Sequence, residues 1–178
     1  SDSTTADVEN SEPTWNYVSI IPTSVYNYST ATCNAQVSDD DGPLSLSAYT
    51  YVWENATTGA TLGTGKTLTL TPNEAMPGDA LSCTATANDG FVNVVQTTTK
   101  NIANSTPYVG AFTIDPSPMY VNSLATCSAV INDADMEPNI TVDYTWRNVD
   151  TGVNFATGSS VQLDPSLIAV GETLRCYA

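Results

Sequence analysis

Four cysteines, nineteen acidic side chains and no histidine set the chemical repertoire of this 178-residue chain. Without histidine there is no Ser-His or Cys-His nucleophile and no His-ligated metal. The acids offer two other chemistries. Asp39-Asp-Asp41 and Asp133-Ala-Asp135-Met-Glu137 place carboxylates two residues apart in turn-like sequence. Such carboxylates, helped by backbone carbonyls, are hard oxygen ligands suited to Ca²⁺. The same side chains also serve a polar turn that accepts backbone hydrogen bonds, and the sequence leaves both readings open. Paired carboxylates can hydrolyse glycosides only if one acid sits where its proton is retained, and nothing in the sequence puts one in an apolar setting. The expectation is no enzyme and no cofactor other than Ca²⁺.

The charge balance narrows the partners. Only Lys66, Lys100, Arg147 and Arg175 are basic, and the net charge is -15. Nucleic acid and anionic membrane surfaces bind through clustered Lys and Arg, so neither is an expected partner. No apolar run approaches the ~20 residues of a bilayer-spanning helix, and no membrane insertion is expected. The opening Ser1-Asp-Ser-Thr-Thr-Ala has neither the basic nor the apolar region of a secretory leader. It reads as a linker, residues 1–11, in a piece of a larger protein.

Positioning these residues is the task of a repeat. Pro13–Val37 lies over Pro107–Ile131 at an offset of 94, bringing Tyr26 onto Tyr120 and Ala31-Thr-Cys33 onto Ala125-Thr-Cys127. Asp39 and Asp41 fall on Asp133 and Asp135. After the loss of one residue, Tyr51-Val-Trp53-Glu-Asn55 meets Tyr144-Thr-Trp146-Arg-Asn148, and Gly78, Leu81 and Cys83 meet Gly171, Leu174 and Cys176. Roughly a third of the paired positions are identical, the signature of duplicated units. The units run over 12–103 and 104–178, and the second lacks the counterpart of Thr86 to Thr99, which removes its last strand.

Within each unit the alternation is that of strands. Ala31, Cys33, Ala35 and Val37 share one face; so do Tyr49, Tyr51 and Trp53, and Leu81, Cys83 and Ala85. Asp-Gly, Thr-Gly and Pro-Gly steps separate them. Asn73–Met76 and Ser166–Ala169 each suggest one helical turn. Cys33 and Cys83 lie 50 apart around Trp53, and Cys127 and Cys176 lie 49 apart around Trp146. Two facing sheets about 10 Å apart can be bridged by a cystine with an indole packed over it. Pairing within each unit is favoured because the pattern occurs twice; four reduced, buried cysteines are the alternative. Cystines imply an oxidising compartment, either extracellular or cell-surface.

This arrangement of Cys, Tyr-x-Trp and Leu-x-Cys resembles the immunoglobulin superfamily. The finer texture (Ile-x-Pro, Thr-Cys-x-Ala, Asp-x-Asp, Gly-acid-x-Leu-x-Cys) resembles the tandem Ig-like repeats of very large secreted or surface proteins of bacteria. Its acidic loops are similar to those of polycystic-kidney-disease-type and cadherin-like modules. The resemblance implies an all-β chain of two tandem Ig-like β-sandwich domains, the second lacking its last strand. It implies a non-enzymatic spacer or stalk with adhesive capacity, whose partners are other domains of the same large protein or neighbouring subunits. In cadherin-like rods, calcium stiffens the junction between modules, and by that likeness the loop of Asp133, Asp135 and Glu137 would face the linker near Asn104. One alternative is a structural subunit of an extracellular filament or envelope assembly, completed in trans by strand donation. A second is a carbohydrate-binding module using Trp15, Tyr17, Tyr26, Tyr28, Tyr108 or Tyr120 as platforms. Asn27, Asn55, Asn104 and Asn139 stand in Asn-x-Ser/Thr sequons and are candidate glycosylation sites at turns or edges.

Overall fold

The computed structural model describes residues 3–45 and 48–178. The chain forms two compact units, Ser1–Ser105 and Thr106–Ala178. Among the described residues both are built from strands, with no α-helix. This is the outcome expected of a chain rich in Thr, Val and Tyr and poor in strong helix formers.

The first unit contains β1 (Thr14–Ile21), β2 (Val25–Tyr26), β3 (Thr30–Ser38), β4 (Tyr49–Asn55), β5 (Ala60–Thr64), β6 (Thr67–Thr69), β7 (Ala80–Asn88) and β8 (Asn93–Ala103). One sheet has the order β1-β3-β6, and the other β2-β8-β7-β4-β5. All ladders are antiparallel except β2 on β8, a two-residue parallel pairing of Val25 with Ile102 and Tyr26 with Ala103. Period-two side chains from both sheets form one β-sandwich core. Ala31 and Cys33 come from the first sheet, and Tyr51, Trp53, Leu81, Cys83 and Ala85 from the second.

The second unit contains β9 (Tyr108–Asp115), β10 (Leu124–Asn132), β11 (Thr145–Asn148), β12 (Val153–Thr157), β13 (Ser160–Gln162) and β14 (Leu174–Tyr177). Its sheets are β13-β10-β9 and β12-β11-β14. Strand for strand these match the first unit without β2 and β8. The segment equivalent to β2, Met119-Tyr120, is not a strand here. A two-residue parallel strand exists only through its partner, because its backbone groups have nowhere else to pair.

The two stretches expected as helical turns are single turns. Thr71 O accepts from Glu74 N–H at 3.0 Å, and Asp164 O accepts from Leu167 N–H at 3.0 Å and Ile168 N–H at 3.3 Å.

Candidate functional site

Each unit carries one clamp. Cys33–Cys83 joins β3 to β7, and Cys127–Cys176 joins β10 to β14, so each cystine ties one sheet to the other. The described residues hold no free cysteine. Arg175 adjoins Cys176, but a sulfur in a cystine has no thiolate for a cation to stabilise. Trp53 and Trp146 are fully buried beside their cystines. Each indole must still satisfy its N–H. Trp53 Nε1 donates to Gly65 O at 2.9 Å and Trp146 Nε1 to Gly158 O at 2.8 Å. Those carbonyls are turned inward by tight turns in which Gly65 and Gly158 have φ of 99° and 95°, a region that disfavours any side chain.

A second device repeats, and reading the asparagines only as sequons misses it. Asn55, at the end of β4, is 1 % exposed. Its amide donates to Glu74 O and to Asp79 Oδ2 at 2.8 Å, while its carbonyl oxygen accepts from Thr57 and Thr58 N–H. Asn148 does the same: it donates to Leu167 O and to Glu172 Oε2 at 2.8 Å, and accepts from Asp150 and Thr151 N–H. Each asparagine is a latch between a hairpin and the turn before the second cysteine. The signal was present in the repeat, since Asn and an acid recur together at the same offset.

Of the four sequon asparagines, Asn27, in a turn, and Asn55, at the end of β4, are buried. Asn104 and Asn139 are exposed.

The acidic loops are organised as turns. Asp39 Oδ1 accepts from Asp41 N–H at 2.9 Å, and Asp133 Oδ1 accepts from Asp135 N–H at 2.9 Å. In the first unit these acids hold the chain that precedes β1. Ser11 donates its N–H to Asp41 Oδ2 at 2.6 Å and its hydroxyl to Asp39 Oδ1 at 3.1 Å. Nearby, Asp89 binds the Phe91 and Val92 N–H groups and the Asn10 amide. These donors, the Val92 N–H foremost and then the Asn10 amide, hold its carboxyl below the usual carboxylate range. Asp135 is fully buried, and Glu137 is half-buried in the same loop. Among the described residues no group of three or more such side chains is arranged to hold a metal ion.

The aromatic residues outside the clamps are dispersed. Trp15 packs edge-on against Tyr49 with ring centroids 6.3 Å apart, and Tyr26 stacks on Tyr28 at 5.4 Å. Tyr17, Tyr108 and Tyr120 are exposed.

The largest departure from repetition is an apolar groove of about 730 Å³ in the second unit, lined by Ile114, Pro116, Met119, Ile168, Gly171 and Leu174 among others. Leu81, the counterpart of Leu174, is 1 % exposed, whereas Leu174 is only half-buried and Val170 is 89 % exposed. Compared with known proteins, the chain matches no family model, no curated protein and no solved structure.

Proposed function

We propose that the chain is a non-enzymatic structural module of Ig-like repeats, acting as a spacer or stalk of a larger extracellular or cell-surface protein. The observation that carries this reading is the duplication of mechanical parts. Both units keep the cystine, the indole over it and the asparagine latch. The parts repeated are those that resist unfolding. A net charge of -15 on a mostly uncharged polar surface keeps such a module soluble and self-repelling except where specific contacts form.

The clamps give this function a measurable form. A pull along the chain reaches each cystine before it reaches the loop of about 50 residues behind it. Under oxidising conditions single-molecule stretching should therefore leave those loops folded away. Reduction should release roughly 170 Å of extra contour length per unit, at ~3.4 Å per extended residue. If reduction adds no length, or if the oxidised units yield at forces that barely extend a random chain, the spacer reading fails.

A further inference from the structure

We propose that the first unit carries a binding site for a carboxylated sugar, the uronic-acid type of glycan unit, in the cleft between β3 and β4.

The path of the chain opens this cleft. β5 belongs to one sheet and β6 to the other, and Gly65-Lys66 is the crossing between them. β6 pairs with β3 only over residues 30–32, and Cys33 N–H then donates to Lys66 O at 2.8 Å. Beyond Cys33 that edge of β3 has no strand beside it among the described residues. β5 pairs with β4 only from Val52 onward. Residues 34–37 and 49–51 therefore flank an open space of about 960 Å³, within the range of small-ligand pockets.

The repeat is an internal control for what the fold itself requires. The second unit makes the same crossing. Cys127 N–H donates to Ser159 O and Gly158 N–H to Tyr144 O, as Cys33 does to Lys66 and Gly65 to Tyr51. The space there is only about 350 Å³, and the Tyr144 hydroxyl accepts from Ala129 N–H at 3.3 Å across it. In the first unit that tie is shifted along the strands, so that the Tyr49 hydroxyl accepts from Val37 N–H at 3.3 Å. Among the described residues no bond joins Tyr51 to Ala35, the counterparts of Tyr144 and Ala129, and both line the cleft. The side chains differ in the same sense. Tyr17, Tyr49 and Lys66 stand where the second unit has Ala111, Val142 and Ser159. A sandwich is built with the second set, so the fold does not demand the first.

The residues peculiar to the first unit share one chemistry. Tyr49 and Tyr51 lie nearly parallel, with ring centroids 6.4 Å apart and planes at 10°. Tyr17 borders the same cleft and is 42 % exposed. Aromatic faces receive the C–H side of a sugar ring, and phenolic hydroxyls meet its polar rim. Charge then narrows the ligand. The chain has 19 acidic residues, yet none lines this cleft, and Lys66 does. Lys100 is occupied by the carbonyls of Ile20 and Pro22. Lys66 is exposed and, among the described residues, bound to no acid. A neutral sugar would leave its ammonium idle, and a simple anion would leave the tyrosines idle. A pyranose bearing a carboxylate uses both.

NMR titration of the oxidised full chain tests the site. Trimers of galacturonate or of mannuronate should move the Tyr49, Tyr51 and Lys66 signals at millimolar concentration, and leave those of Tyr144 and Ser159 in place. The matching trimers of galactose and mannose should bind about five-fold more weakly, and acetate should move the signals little. Tyr17→Ala and Lys66→Ser install residues that the second unit already carries, so the sandwich tolerates them. Tyr17→Ala should weaken acidic and neutral trimers alike, roughly ten-fold. Lys66→Ser should weaken only the acidic trimers, to the level of the neutral ones. Signals unmoved by both acidic trimers overturn the proposal, as does equal binding of acidic and neutral trimers. So do acetate shifts as large as those of the sugars, equal shifts at Tyr144, or variants that bind like the parent. The site goes beyond the spacer reading, and its failure leaves the stretching experiment untouched.

Discussion

At the scale of single residues, the two asparagine latches show how a polar side chain earns a buried position. Asn55 makes two donor and two acceptor bonds while 1 % exposed. Truncation would take the acceptor from the Thr57 and Thr58 N–H groups and leave Asp79 Oδ2 with the Met76 N–H alone. Asn55→Ala should cost about 2–3 kcal/mol, from several modest bonds plus the penalty of unsatisfied partners. Urea denaturation of the oxidised chain measures it, and a loss below ~0.5 kcal/mol would mean that water replaces the amide. Asp89 makes a pH prediction at the same scale. Its carboxylate is favoured in the fold by the Val92, Asn10 and Phe91 donors, so its folded pKa lies below its unfolded value of about 3.9. Its contribution is therefore complete above that unfolded value and disappears as pH falls through the folded one. Carbon-detected NMR titration should place the Asp89 midpoint below that of an ordinary aspartate. The Phe91 and Val92 amide signals should move with the same midpoint. An ordinary midpoint would show that these bonds do not persist in solution.

At the scale of elements, legibility followed from how many residues carried a given signal. Strands β3, β4 and β7 announce themselves by period-two burial over seven to nine residues and by the Cys and Trp on their inner faces. Their cystines needed the fold to choose pairing over free thiols, and both bridges lie within their own unit. Strand β2 carried no usable period, because two residues cannot alternate and its parallel partner is some 77 positions away, at Ile102. Asn55 looked like a sequon because an asparagine's role is set by what surrounds it, and the three-residue motif says nothing of burial. The acidic loops were legible as turns, but not in what they hold. Ser11, which Asp39 and Asp41 grip, lies about 30 positions upstream.

At the scale of the whole molecule, the same parts give two units of unequal stability. The cystines close loops of nearly equal length, 50 and 49 residues, so their restriction of the unfolded chain, roughly 4 kcal/mol each, largely cancels in a comparison. What remains is the core. In the first unit Val25, Leu81 and Ile102 are sealed by the meeting of β2, β7 and β8. In the second, Met119 and Leu174 pack only partly against a smaller cluster around Trp146. Two half-buried aliphatic side chains forfeit roughly half of the ~1.5–3 kcal/mol that complete burial of each would contribute, about 1.5–3 kcal/mol together. The second unit should therefore open first. The indole N–H groups report this separately, because Trp53 bonds to Gly65 and Trp146 to Gly158. In the oxidised chain, hydrogen exchange at Trp146 should run roughly 10- to 100-fold faster than at Trp53, the ratio that ~1.5–3 kcal/mol of opening free energy implies. Equal rates, or a faster Trp53, would show that the groove costs the second unit nothing.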